Sequence, residues 1–146
     1  QGGQRTLTVA PECNEKLRPA LGKPMKDELF YNFARMANKF DFETIKMYFM
    51  IGLPGQEEQD LKEMMDFIKE MKKISKHKIY ASINPFVPKP MTKLADMKFD
   101  KTKVKRHAAY LKKELGKLGM RFKLASVSNY HNQWLLGKAE KLPLKD

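Results

Sequence analysis

The stretch IKMYFMIGLPGQEEQDLKEMM, residues 45–65, decides the fold. It begins with Ile45, Met47, Phe49 and Ile51 alternating with Lys46, Tyr48 and Met50, the two-residue period of a strand. It turns on Gly52-Leu53-Pro54-Gly55. It then continues as an amphipathic helix over 57–74, with Leu61, Met64, Met65, Ile68 and Met71 on one stripe. A strand that runs into a helix is half of a βαβ unit, so the same order should recur on both sides.

It does recur. RTLTVA (5–10) reads as a strand and KDELFYNFARMANKF (26–40) as a helix. Leu29, Phe33, Ala37 and Phe40 supply that helix's apolar spacing. KIYASINPF (78–86) is a third strand, ended by the proline-rich NPFVPKPMT (84–92). A helix follows with Val104, His107, Ala108, Leu111, Leu115 and Leu118 in phase. RFKLASV (121–127) fits a fourth strand and SNYHNQWLLG (128–137) a short terminal helix. Successive strands lie roughly 40 residues apart, room for a crossover helix and a loop. The sequence therefore predicts an α/β fold with parallel strands. It is a single domain over 1–146 with a short C-terminal extension from about 127, either part of a (β/α) barrel or a small open sheet.

Composition bounds the function. The chain has 146 residues and 42% hydrophobic residues, enough for a packed core and unlike a disordered tail. No apolar run approaches a membrane span, and the N-terminal residues lack a signal-peptide profile. A single cysteine, Cys13, excludes an internal disulfide framework and any all-cysteine metal site, and fits a reducing, cytoplasmic setting. With 29 basic against 17 acidic residues the net charge is +12, which favours phosphate-rich partners. Most lysines fall on what should be the wet faces of helices, so a solvated basic surface is the plainer reading and a nucleic-acid groove the alternative.

The strand faces say more. Each strand splits into an apolar side and a polar one. Thr6, Thr8, Ala10 and Glu12 share a side of the first strand, Lys46, Tyr48 and Met50 of the second, and Tyr80, Ser82 and Asn84 of the third. A doubly wound sheet is apolar on both faces, and an ordinary barrel interior is filled with branched residues. A polar side points to a lumen or groove that holds something, with Lys46, Tyr48, Ser82 and Asn84 facing it. A sheet with one solvated face is the competing explanation. Ligands of parallel α/β folds bind at the carboxyl ends of the strands. Three loops leave those ends: APECNEKLR (10–18), GLPGQEEQD (52–60) and NPFVPKPMT (84–92). The glycines of the second would let backbone approach a ligand, although its spacing matches no phosphate-binding fingerprint.

In this order the motifs LTVAPECNEKLR with GKP, IKMYFMIGLPGQEEQDL and INPFVPKPMT resemble the C-terminal half of radical S-adenosylmethionine enzymes. The closest type is the iron–sulfur oxidoreductases that often carry a cobalamin-binding domain. The resemblance covers residues 6–92 and implies about half of a barrel. It implies that Glu12, Asn14 and Arg18 hold the ribose and methionine end of S-adenosylmethionine, with Arg18 pairing its carboxylate. It further implies that Met50, Ile51 and Gly52 pack on the adenine, and that Pro85, Phe86 and Val87 offer backbone to the adenine edge. The reaction implied is reductive cleavage of S-adenosylmethionine to a 5′-deoxyadenosyl radical, driven by a 4Fe–4S cluster, with cobalamin as a further cofactor in many relatives. The three cluster-binding cysteines of the family are absent, so the chain alone is expected to be inactive. Two departures stand out: Cys13-Asn14 replaces a Gly-Ser pair, and Gln56 stands where a glutamate is common. The partners implied are the missing N-terminal half of the barrel and a substrate, nucleic acid such as tRNA included. The cut barrel would also expose strand edges able to pair with a second copy. A basic nucleic-acid-binding module and an unrelated α/β enzyme with a phosphate site are the rival readings.

Overall fold

A computed structural model describes residues 5–86 and 100–129, together with Asn132, Leu135 and Leu136. Within them lie strands β1 (Thr6–Glu12), β2 (Thr44–Ile51), β3 (Lys78–Pro85) and β4 (Arg121–Leu124). Three helices connect these strands: α1 (Asp27–Ala37), α2 (Glu58–Ile74) and α3 (Lys101–Leu118). All strand pairs are parallel and the sheet order is β1-β2-β3-β4. The fourth strand is shorter than the sequence predicts, and Val127 to Asn129 already form a helical turn. His131, Trp134 and the proline-rich residues 87–92 lie outside the described residues.

Parallel neighbours joined in chain order by right-handed crossovers place every connecting helix on one side of the sheet. The packing agrees. Ile45, Met47, Phe49 and Ile51 of β2 and Ile79, Ala81 and Ile83 of β3 form one buried cluster with residues from all three helices. The stripe read for α2 is buried, and so is that of α3, His107 included, except for the half-buried Leu118 at its end. In α1 the buried residues are Phe30, Ala34 and Ala37, whereas Leu29 and Phe40, expected in the core, are 54% and 57% exposed. The helix is turned so that Phe30 and Tyr31 meet the Phe67 ring of α2, with centroids 5.7 and 5.5 Å away.

Local chemistry sets the start of α2. The Glu57 N–H donates to Asp60 Oδ2 at 2.7 Å, and the Glu57 side chain accepts from the Asp60 N–H, a reciprocal cap on two otherwise orphaned donors. Asn14, in the loop after β1, donates through Nδ2 to Asp60 Oδ1 and to Glu63 Oε1, each at 2.9 Å. Lys103 of α3 reaches Glu57 Oε1 at 2.6 Å. The first turn of α2 thus fastens the β1 loop to α3. Among the described residues no helix is long and apolar enough to cross a membrane.

Candidate functional site

The side of the sheet away from the helices is polar, and register shows which residues share it. Thr8, Lys46, Tyr80 and Arg121 stand in one row across four strands, and Tyr48, Ser82 and Lys123 form the next. Met50 pairs with Asn84 at the carboxyl end. The four residues expected to face a ligand, Lys46, Tyr48, Ser82 and Asn84, are therefore together. Lys46 Nζ lies 5.0 Å from the Tyr48 ring centroid and 5.6 Å from that of Tyr80, so two aromatic faces hold its charge over the sheet.

Glu12 departs from simple alternation. The β1–β2 register slips between Val9 and Glu12, which brings Glu12 level with Phe49 rather than with the polar rows. Pro11 has no N–H for the ladder, and a strand proline is tolerated at such an irregularity. Glu12 itself has φ 67°, the one non-glycine residue in the left-handed region among those described. A side chain held there stores strain, a condition that concentrates at binding and active sites. Its carboxylate accepts from Lys23 Nζ at 2.8 Å. Lys23 was not read as a site residue, although it stands in the Gly22-Lys23-Pro24 segment that carries part of the resemblance.

Arg18 and Asn14 belong to the other side. Arg18 is fully buried, its Nε donating to the Pro11 carbonyl and Nη1 to that of Met25, both at 3.0 Å. Its guanidinium carbon lies 4.8 Å from the Phe30 centroid and 5.2 Å from that of Phe67. These rings are in the helix layer, so the guanidinium is a packing element there and does not reach the polar face. Asn14 is committed to the cap of α2. The expectation that both hold a cofactor is corrected on these grounds: the sequence showed their polarity but not which side the loop would turn them to. Ile51 and Pro85 also fall on the helix side, paired in register and buried.

The glycine turn is closed by its own chain. Gln56 Oε1 accepts from the Gly52 N–H at 2.8 Å and the Leu53 N–H at 3.4 Å, while its Nε2 donates to the Met50 carbonyl at 3.3 Å. An amide both accepts and donates, which an ionised glutamate cannot do, and this gives Gln56 a physical reason to stand there. Gly52 has φ 83°, and a Cβ placed on it would meet Val104 Cγ2 at 2.9 Å. The close approach that the glycine permits is thus made by α3. The Phe86 N–H donates to the Ile51 carbonyl at 2.7 Å. Val87 lies outside the described residues.

Titrating groups separate in the same way. Burial pushes the Cys13 thiol up to about 11, although the Arg18 cation opposes it. Such a thiol is a poor metal ligand. No grouping of three or more His, Cys, Asp or Glu side chains suited to a metal occurs among the described residues. The described residues therefore offer no ligand set for a 4Fe–4S cluster. Burial, Lys103 and Arg106 together hold the His107 imidazole below its usual range.

The chain is similar to the uncharacterized protein MJ0966 of Methanocaldococcus jannaschii, 33% identical over 138 residues. The match takes in 94% of this chain and 31% of that protein, so the chain spans about a third of the relative's length. No protein-family model and no solved structure matches.

Proposed function

We propose that the chain is the S-adenosylmethionine-binding part of a radical S-adenosylmethionine enzyme, a partial (β/α) barrel whose polar sheet face turns to the interior. The observation that supports this reading most is the one-sided sheet. Helices cover a wholly apolar face, and the opposite face carries Lys46, Tyr48, Ser82 and Asn84 in adjoining rows. Lys46, Tyr48 and Asn84 are half-buried and Ser82 is buried, so this face is polar yet partly withdrawn from water, as the wall of a ligand groove would be.

In this reading Glu12 accepts from the ribose hydroxyls or the amino group, and Met50 packs on the adenine beside the Gly52 turn. Lys23 replaces Arg18 as the partner of the ligand carboxylate, because its side chain is 40% exposed whereas Arg18 has none to offer. In the whole enzyme Glu12, Lys23 and Met50 would hold S-adenosylmethionine, which together with an iron–sulfur cluster would supply radical chemistry. This chain binds and orients it. The cluster, and cobalamin where the enzyme uses it, would be held by parts of the longer protein, since Cys13 is unsuited to the task.

Titration of the chain with S-adenosylmethionine, followed by amide chemical shifts, tests the proposal. Shifts are expected at Glu12, Lys23, Met50 and Asn84, with Lys46→Met altering the affinity but changing stability by less than about 1 kcal/mol. No saturable shift, or shifts confined to the amino-terminal ends of the strands near Glu43 and His77, would remove the assignment.

A further inference from the structure

Charge is not shared evenly over the molecule. Arg18, Lys23, Arg35, Lys103 and Lys117 each sit beside a carboxylate. Toward the amino ends of the strands the polar face instead presents Lys46, Lys78, Arg121 and Lys123, interleaved with Tyr80 and threonines, and no carboxylate. None of these four cations is in an ion pair among the described residues.

Two of them meet at a cavity. The amino ends of β2, β3 and β4 and the last turn of α2 enclose an open pocket of about 510 Å³. Lys78, Tyr80 and Arg121 line it from the sheet and Lys72 from α2. His77, also in its wall, has its Nε2 tied to the Ala37 carbonyl at 2.8 Å. Glu43 is the one carboxylate among the described lining residues, so three cations face one anion. Arg121 pairs with Tyr80, two residues beyond Lys78, which sets the two cationic residues about 8 Å apart at the backbone. That is comparable to the Debye length, so salt screens their repulsion only in part. The nearby end of α2 opposes an anion through its last carbonyls. A helix end contributes only about half a charge, however, and the Ile74 carbonyl is already met by Asn38 Nδ2 at 2.9 Å.

We infer that this pocket binds the phosphate group of a phosphate ester, at the end of the sheet opposite the glycine turn. Arg121 presents a planar fork to two phosphate oxygens, Lys72 and Lys78 add point charges, and the Tyr80 hydroxyl supplies a further donor. The charge balance selects the ligand. A surplus of two positive charges matches a phosphate monoester, which carries about −1.5 to −2, whereas a carboxylate would leave one cation uncompensated. Asn84 stands six residues beyond Lys78 on β3, about 20 Å away, so the site is separate from the one assigned at the carboxyl end. S-adenosylmethionine has no phosphate. In the functional reading above the ester is therefore a second molecule, and the inference holds whatever the carboxyl end binds.

Titration of this chain with inorganic phosphate, against chloride at equal ionic strength, tests it through the amide shifts of Lys78, Tyr80 and Arg121. Saturable shifts are expected with phosphate alone. Lys78→Gln with Arg121→Gln should weaken phosphate binding at least about 10-fold. Lys112→Gln with Lys113→Gln, on the exposed face of α3, removes the same charge and should change it less than about twofold. All four side chains are exposed, so both double variants should keep the melting temperature of the parent chain. Glycerol 3-phosphate and a 5′-phosphorylated oligonucleotide separate the sources of the group: displacement of inorganic phosphate by the first marks a small ester, and by the second alone a strand end, each in keeping with the site. Matching shifts with chloride, equal losses in the two double variants, or oligonucleotide shifts spread along the α3 lysines with Lys78 and Arg121 unmoved overturn the inference. Phosphate binding without any response to S-adenosylmethionine would sink the functional reading alone, and the reverse would sink only this site.

Discussion

The Arg18 guanidinium lies 2.8 Å from the Asp27 carboxylate, yet Asp27 holds its proton more tightly than an ordinary aspartate. Burial outweighs the neighbouring cation. The Arg18 Nη1 is shared, since it also donates to the Met25 carbonyl. The native state therefore binds this proton better than the unfolded chain does. Its contribution to stability declines as pH rises from below 3.8 through the raised native value.

Arg18→Ala should accordingly be a folding variant rather than a binding one. It strips the cation from a buried site and leaves Pro11, Met25 and two aromatic faces unpartnered, which is expected to cost about 3 kcal/mol. Arg18→Lys should recover little, because an ammonium cannot present the planar fork. Urea denaturation measures both. A loss below about 1 kcal/mol for the alanine variant would refute the packing role.

Gly52 and Val104 should be coupled. Gly52→Ala meets both the left-handed φ and the Val104 methyl, and is expected to destabilise by about 2 kcal/mol or more. Val104→Ala relieves the second problem and not the first, so the double variant should be more stable than the sum of the singles. A double-mutant cycle returning strict additivity would separate the turn from α3.

His107 predicts an acid slope. Its native pKa lies below 6.5, so the unfolded chain takes up the proton first as pH falls. Stability from this group is intact above 6.5 and is lost as pH drops from there through the depressed native value. The charges bearing on it are Lys103, Arg106, Glu57 and Glu58, the cations outweighing the carboxylates. His107→Leu should flatten the stability profile between pH 7 and the native pKa by removing the titration and the unpartnered Nδ1. An unchanged slope in chemical denaturation would assign it elsewhere.

Cys13 should ignore thiol reagents in the native state. With a pKa of about 11 and no exposure, its reactive thiolate is scarce and covered. Modification by a disulfide reagent at pH 8 should follow global unfolding in its urea dependence. Fast, urea-independent labelling would show an accessible thiol.

Much of this was legible in the sequence, for identifiable reasons. Alternation in residues 45–51 and 79–84 assigned the sheet faces, because a two-residue period leaves no freedom once one side is apolar. Glu12 escaped because the register slips just before it, and Pro11 was the available signal. The stripe of α1 misled because the helix carries two apolar faces, and periodicity alone does not rank Phe30 and Ala34 above Leu29 and Phe33. Arg18 was read as a ligand because a buried guanidinium between two rings, with its acceptors on Pro11 and Met25, depends on the path of a loop that no period describes. Gln56 was noticed only as a departure from the resemblance, and its bidentate hold on the turn needed coordinates.

Strand order in the sheet repeats strand order in the chain. Each strand adds beside the one synthesised just before it, and no late strand has to be inserted between two early ones. As the polypeptide leaves the ribosome, the sheet can therefore grow vectorially, each helix closing over the step just laid down. Until the next strand arrives, every intermediate ends on a live edge. Among the described residues the last strand on that side is β4, whose brevity and two cations make it a poor template. Synthesis order and assembly order are thus the same, and a pause in translation between α2 and β3 should yield a β1-β2 pair already carrying its helices.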